Sequence, residues 1–71
     1  MPIQGHIYCH YKGSEYTVLY IGRHTETEEE MVVYCAVLSP EKIWIRPLSM
    51  FMEHVSVEGK CVPRFKHVKI K

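Results

Sequence analysis

Met31 to Leu38 is an unbroken apolar run, Met-Val-Val-Tyr-Cys-Ala-Val-Leu. Its odd and even positions are both apolar, the pattern of a central strand covered on both faces. The run is far shorter than the roughly 20 residues a membrane-spanning helix requires, so no transmembrane segment is expected. With 71 residues in all, a chain of this size buries only about 60% of the surface it exposes when unfolded. That allows one modest core and little interior for a deep active site, which weighs against an enzyme.

The flanking segments predict more short strands separated by turns. His6 to Tyr11 is rich in strand formers, and Lys12-Gly13-Ser14 supplies a reversal before Glu15 to Ile21, which predicts a hairpin. Val18, Leu19, Tyr20 and Ile21 fall on both faces, as a bulge or double burial would require, and Gly22 suits a bend. Arg23 to Glu30 is polar and reads as an exposed loop. Ser39-Pro40-Glu41-Lys42 carries turn chemistry ahead of a short strand, Ile43 to Arg46, that Pro47 ends. A two- or four-residue loop there would pair Leu38 with Ile43. Ile43 and Ile45 would then join Tyr34 and Ala36 on one face, with Trp44 and Arg46 on the other.

Pro47 to Met52 is too short for a stable helix alone and predicts one packed helical turn, with Leu48, Met50 and Phe51 over the core. His54 to Val57 alternates, Glu58-Gly59-Lys60 turns the chain back, and Pro63 stops the strand through Cys61 and Val62. The fold expected is all-β, a small SH3-like barrel of about five short antiparallel strands with one short helical turn. It forms a single domain with its core at about 5–65 and a basic C-terminal tail at 66–71.

The formal net charge is only +1, but the charges are unevenly placed. Glu26, Glu28, Glu29 and Glu30 cluster mid-chain, whereas Lys60, Arg64, Lys66, Lys69 and Lys71 crowd the end. The balance lacks the strong basicity of dedicated nucleic-acid binders, although the basic end can contact phosphate. Cys9, Cys35 and Cys61 are odd in number, without CxxC spacing, and Met1-Pro2-Ile3-Gln4-Gly5 resembles no export signal. Reduced thiols and a cytoplasmic location are the expectation.

His10-Tyr11-Lys12-Gly13, Gly22-Arg23-His24-Thr25-Glu26-Thr27, Val32-Val33-Tyr34, Trp44-Ile45-Arg46-Pro47-Leu48-Ser49-Met50-Phe51 and Pro63-Arg64-Phe65 form one colinear series of motifs. From about Gly5 to Phe65 the series resembles a bacterial family, the domain-of-unknown-function family numbered 1653. The resemblance implies an SH3-type small barrel and brings no activity with it. The sequence departs from the family pattern at Cys9, where a basic residue is usual, at Gly22, where alanine is usual, and at Thr25, where serine is usual. Only Cys9 changes local charge, which would weaken an anion site built beside His10.

Trp44 and Arg46 stand two apart in a strand and share a face, so a stacking surface lies beside a planar donor fork. With Tyr34, Tyr11 or Arg64 nearby, the pair would make a platform for single-stranded nucleic acid or an extended peptide. The competing reading, and the weightier one for a single tryptophan in a tiny domain, packs Trp44 beneath Met50 and Phe51. Arg23 and His24, with Thr25 and Thr27, concentrate anion-gripping groups in one loop, yet the same residue types routinely satisfy turn backbone. Histidines and cysteines are too scattered for a metal site, Cys35 reads as core, and the chain has no aspartate for a carboxylate pair. No metal or cofactor is expected. The function expected is a non-enzymatic binding module using Trp44, Arg46, Arg23, His24, Arg64, Tyr34 and Tyr11. The alternative is a homodimeric assembly protein joined through the 31–38 strand or the 50–52 segment, without a nucleic-acid role.

Overall fold

Turn chemistry lays out the chain. Residues 2–70 are described by a computed structural model, with strands β1 (His6–His10), β2 (Glu15–Arg23), β3 (Glu30–Ala36) and β4 (Ile43–Pro47). The helical turn α1 (Leu48–Phe51) follows, then β5 (His54–Val57), β6 (Lys60–Pro63) and β7 (Phe65–Ile70). Gly13 takes φ +106° between β1 and β2 and donates its N–H to the His10 carbonyl at 2.7 Å. Glu58 and Gly59, both at positive φ, form the two-residue loop joining β5 to β6. Positive φ at both central positions matches the right-handed twist of a hairpin.

The main sheet is antiparallel in the order β4-β3-β2-β1-β7, and β5 and β6 form a separate two-stranded ribbon. The all-β class with one helical turn is as the sequence indicates, but there are seven strands among the described residues. Cys61 and Val62 belong to a strand of their own, and the segment read as a basic tail is β7, paired along β1 from His6↔Ile70 to His10↔Phe65. Lys71 of that segment, like Met1, lies outside the described residues. No helix among the described residues is long and apolar enough to cross a membrane.

β3 is a central strand, hydrogen-bonded to β2 and β4. Val32 and Tyr34 are buried on the core face and Cys35 on the outer face, so both parities of its apolar run are used. The strand stops at Ala36, and Val37 and Leu38 emerge into the loop, Leu38 almost fully exposed. The sequence's both-face pattern in β2 is a register shift between Val18 and Tyr20. Leu19 is the inserted residue, while Gly22 continues the ladder regularly opposite Met31 and makes no bend.

The β3–β4 register differs from that expected. Two successive turns, Ser39 N–H to Ala36 O at 3.2 Å and Lys42 N–H to Ser39 O at 2.9 Å, consume 37–42. Cys35 therefore pairs with Ile43, Tyr34 with Trp44 and Val32 with Arg46. Because strand side chains alternate, this places Trp44 and Arg46 on the core face beside Tyr34, and Ile43 and Ile45 on the outer face.

The core comprises Tyr8, Val18, Val32, Tyr34, Phe51 and Phe65, with Tyr16, Ile21 and Leu48 partly buried against it. Pro47, at φ −56°, precedes the helical turn, whose Leu48 carbonyl accepts the Met52 N–H at 3.0 Å. The turn inserts Phe51 face to face on Phe65, centroids 4.0 Å apart and planes 2° from parallel. Tyr8 and Tyr34 meet Phe51 edge-on at 5.6 and 5.5 Å. Met50, expected over the core, is exposed instead. Phe51→Ala should therefore cost about 3–5 kcal/mol, most of the stability of a small domain, whereas Met50→Ala should stay within about 0.5 kcal/mol. Urea unfolding followed by circular dichroism checks both.

Candidate ligand-binding site

The core face of the sheet continues past the packed interior into an aromatic and cationic surface. Phe65, the first residue of β7, lies opposite His10 of β1, with ring centroids 5.1 Å apart. Tyr16 and Tyr34 reach the same ring edge-on at 5.8 and 5.5 Å. From β4, the Arg46 guanidinium lies 5.7 Å from the Phe65 centroid, a cation–π contact. Trp44 stands opposite Tyr34 on the outermost strand and is 50% exposed. It is neither the buried anchor nor the outer-face platform that the sequence offered, but a half-open aromatic wall at the rim of the core.

His10 is held by local chemistry. Its Nδ1 accepts the Lys12 N–H at 3.1 Å, so the neutral ring carries its proton on Nε2. The Tyr11 ring lies against it, centroids 4.4 Å apart and planes tilted by 31°, and the Lys12 ammonium lies 5.9 Å from the Tyr11 centroid. Burial first, and then the charges of Arg46, Arg64 and Lys12, hold the His10 pKa below its ordinary 6.5.

Arg64 is a clasp between elements. Its backbone N–H donates to the Glu53 carbonyl at 2.8 Å, its Nη2 donates to Glu53 Oε1 at 2.8 Å, and its own carbonyl accepts the Tyr11 N–H at 3.0 Å. The Nε is buried without an acceptor. Glu53 is thus the carboxylate paired with this end of the sheet, against the charges of Arg46, Arg64 and Lys12 that His10 senses. An open cleft of about 540 Å³ adjoins the site, sharing His10 and Tyr11 and bounded beyond them by the ribbon residues Val57, Lys60 and Val62.

The structure brings together Trp44, Arg46, Tyr34, Arg64 and Tyr11. Arg23 and His24 lie at the other end of β2, seven residues beyond Tyr16, where Arg23 pairs with Glu30, two residues along β3 from Val32, the cross-strand partner of Arg46. There Arg23 Nη1 donates to the Glu28 carbonyl at 3.3 Å, and His24 Nδ1 accepts the N–H groups of Glu26 and Thr27 at 3.1 and 3.3 Å. Thr27 Oγ1 accepts the Glu29 N–H at 3.2 Å, so this loop uses its polar groups to close itself. His10, Tyr16, Phe65 and Lys12 are site residues the sequence reasoning missed. The even-numbered parity of His6 and His10 was the available signal, but nothing indicated that Phe65 began a strand opposite His10.

Among the described residues, no three metal-ligating side chains converge. Cys9 is half-buried, Cys35 buried and Cys61 exposed, all as free thiols.

The lowered His10 pKa gives stability a direction with pH. The unfolded chain takes up a proton at this position more readily than the folded one, so the His10 contribution is fully present above pH 6.5. It should decline as pH falls through 6.5 and level off below the depressed folded value. Urea midpoints measured from about pH 7.5 to 5 should fall more steeply for the wild type than for His10→Gln. Equal slopes would contradict this account.

A search of curated proteins finds no match. Residues 6–67 match the family model described as a protein of unknown function, DUF1653. The crystal structure of a DUF1653 protein from Bordetella bronchiseptica is similar over 97% of this chain and 91% of that one, with 32% identity and a TM-score of 0.83. On these two similarities this chain is a member of the DUF1653 family.

Proposed function

We propose that the domain is a non-enzymatic binding module for single-stranded nucleic acid, held on the core-face rim formed by Trp44, Arg46, His10 and Tyr11. The observation that carries this reading is the convergence on Phe65, where Arg46 and His10 meet one ring at 5.7 and 5.1 Å, with the half-open Trp44 two residues from Arg46 on β4 and opposite Tyr34. Arg46, Arg64 and Lys12 supply the cationic field that phosphates require. The exposed faces of Trp44 and Tyr11 supply surfaces on which bases stack without sequence preference. Lys60 and Lys66, at the adjoining cleft that Glu58 also lines, add two cations beyond the rim. The glutamate-rich β2–β3 loop lies beyond the Arg46 end of the rim, with Glu30 two residues along β3 from the Arg46 partner Val32, and repels a polyanion there, which limits and orients a bound strand.

An amide-resolved NMR titration with short single-stranded RNA and DNA at two salt concentrations tests the proposal. Shifts centred on Trp44, Arg46, His10 and Tyr11 that weaken with salt are expected. Base stacking is worth about 1–3 kcal/mol, so Trp44→Ala should weaken binding roughly 5- to 150-fold while keeping the cooperative thermal transition. Arg46→Ala should lower the salt slope by about one unit. Silent spectra, or shifts confined to Lys66–Ile70, would overturn the proposal. Shifts at the rim with peptide alone would reassign the site to an extended peptide.

A further inference from the structure

The main sheet ends in two edges, β4 and β7, and they are built differently. Lys66 and Lys69 interrupt β7, a common defence against strand addition. β4 carries Pro47 at its last position, but neither a charge nor a proline along its first three residues. Ile43, Trp44 and Ile45 expose 57%, 50% and 64% of their surfaces, and Arg46 is the strand's one charge. On the outer face, the cross-strand row Tyr20–Val33–Ile45 forms an apolar stripe that runs to this edge and stops, with Tyr20 63% exposed.

We propose that β4 is a self-association edge, pairing antiparallel with β4 of a second copy about a twofold axis through Ile45. An isologous contact must satisfy itself, with each residue meeting its symmetry mate's partner. The sequence Ile43-Trp44-Ile45-Arg46-Pro47 does so about Ile45. Trp44 falls opposite the partner subunit's Arg46, and Arg46 opposite the partner subunit's Trp44, giving two cross-strand cation–aromatic pairs on the core face.

Neighbouring registers lose this complementarity. Centring the axis on Trp44 sets Arg46 against the partner subunit's Lys42, a like-charge pair. Centring it between residues opposes side chains of different faces, which a twofold axis normal to the sheet does not permit. In the Ile45 register the two outer-face stripes join, and the pair of five-stranded sheets becomes one of ten strands. The pairing uses β4 rather than the 31–38 strand, whose two edges are already hydrogen-bonded, or the 50–52 segment, whose Phe51 is committed to the core. It needs no nucleic acid and stands or falls separately from the function proposed above.

Light scattering coupled to size exclusion, from low to high micromolar concentration and without ligand, reads the association. The wild type is expected to move from 8.4 kDa towards twice that mass. Ile45→Lys should remain at the monomer mass at all concentrations with its thermal midpoint close to that of the wild type, because the side chain is largely exposed. An Ile45→Cys variant in a Cys61→Ser background should cross-link to itself under mild oxidation, since only a residue on the axis meets its own copy. Ile43→Cys in that background should not. A wild type that stays monomeric, or a dimer indifferent to Ile45→Lys, overturns the proposal. Self-cross-linking at Trp44→Cys in place of Ile45→Cys overturns the register.

Discussion

Phe65 is the ring on which both the core and the site depend. One side stacks on Phe51 at 4.0 Å, its edges are contacted by Tyr16 and Tyr34, and Arg46 and His10 approach from the rim. Burial of the Phe51–Phe65 stack supplies much of the hydrophobic driving force available to so small a domain. The position of Arg46 follows from that stack, because its guanidinium rests on a ring the core has already fixed. A cation placed this way would lose little freedom on engaging the proposed ligand, which is the advantage of packed strands over a loop as a scaffold.

Much of this architecture is legible in the residues themselves. Gly13 and Glu58-Gly59 mark tight turns, the doubly apolar run marks the central strand, and the Val18–Ile21 pattern marks the bulge. Two features are not legible, for identifiable reasons. The β3–β4 connection reads as one turn at Ser39-Pro40 but contains two in succession, and the change of register carries Trp44 and Arg46 to the opposite face. Their two-residue spacing keeps them together on either face, so the pair was visible although its surroundings were not. β7 escapes notice because Phe65 is its one buried side chain, and what makes it a strand is backbone pairing with β1. Composition reports side-chain burial, and an edge strand has little.

His10 and His24 show why a motif alone misleads. Each uses Nδ1 to accept a backbone N–H two residues ahead, from Lys12 and Glu26 respectively, so each is first a turn-closing acceptor. What separates them is location. His24 closes a loop whose arginine and threonine also bond backbone groups, among Glu26, Glu28, Glu29 and Glu30, whose charges oppose an anion. His10 closes its turn against Phe65 and Tyr16 under the field of three cations, with its Nε2 proton still to donate. The richer cluster in sequence is the poorer site in space.

The placement of β4 ties the remaining features together. As the last strand of the sheet it has a neighbour on one side only, and this leaves Trp44 half open while its pairing partner Tyr34 is buried. Directly after Pro47 the chain turns into α1 and drives Phe51 into the core, so the segment that follows β4 seals the interior. The exposed aromatic face and the free backbone edge are therefore two consequences of one topological fact. A strand laid against β4 would narrow the space around Trp44 and supply it with a new neighbour on the core face. Whatever occupies the edge thus reshapes the rim where Trp44, Arg46 and Phe65 meet, and a substitution that frees or blocks the edge acts on that rim without touching its residues.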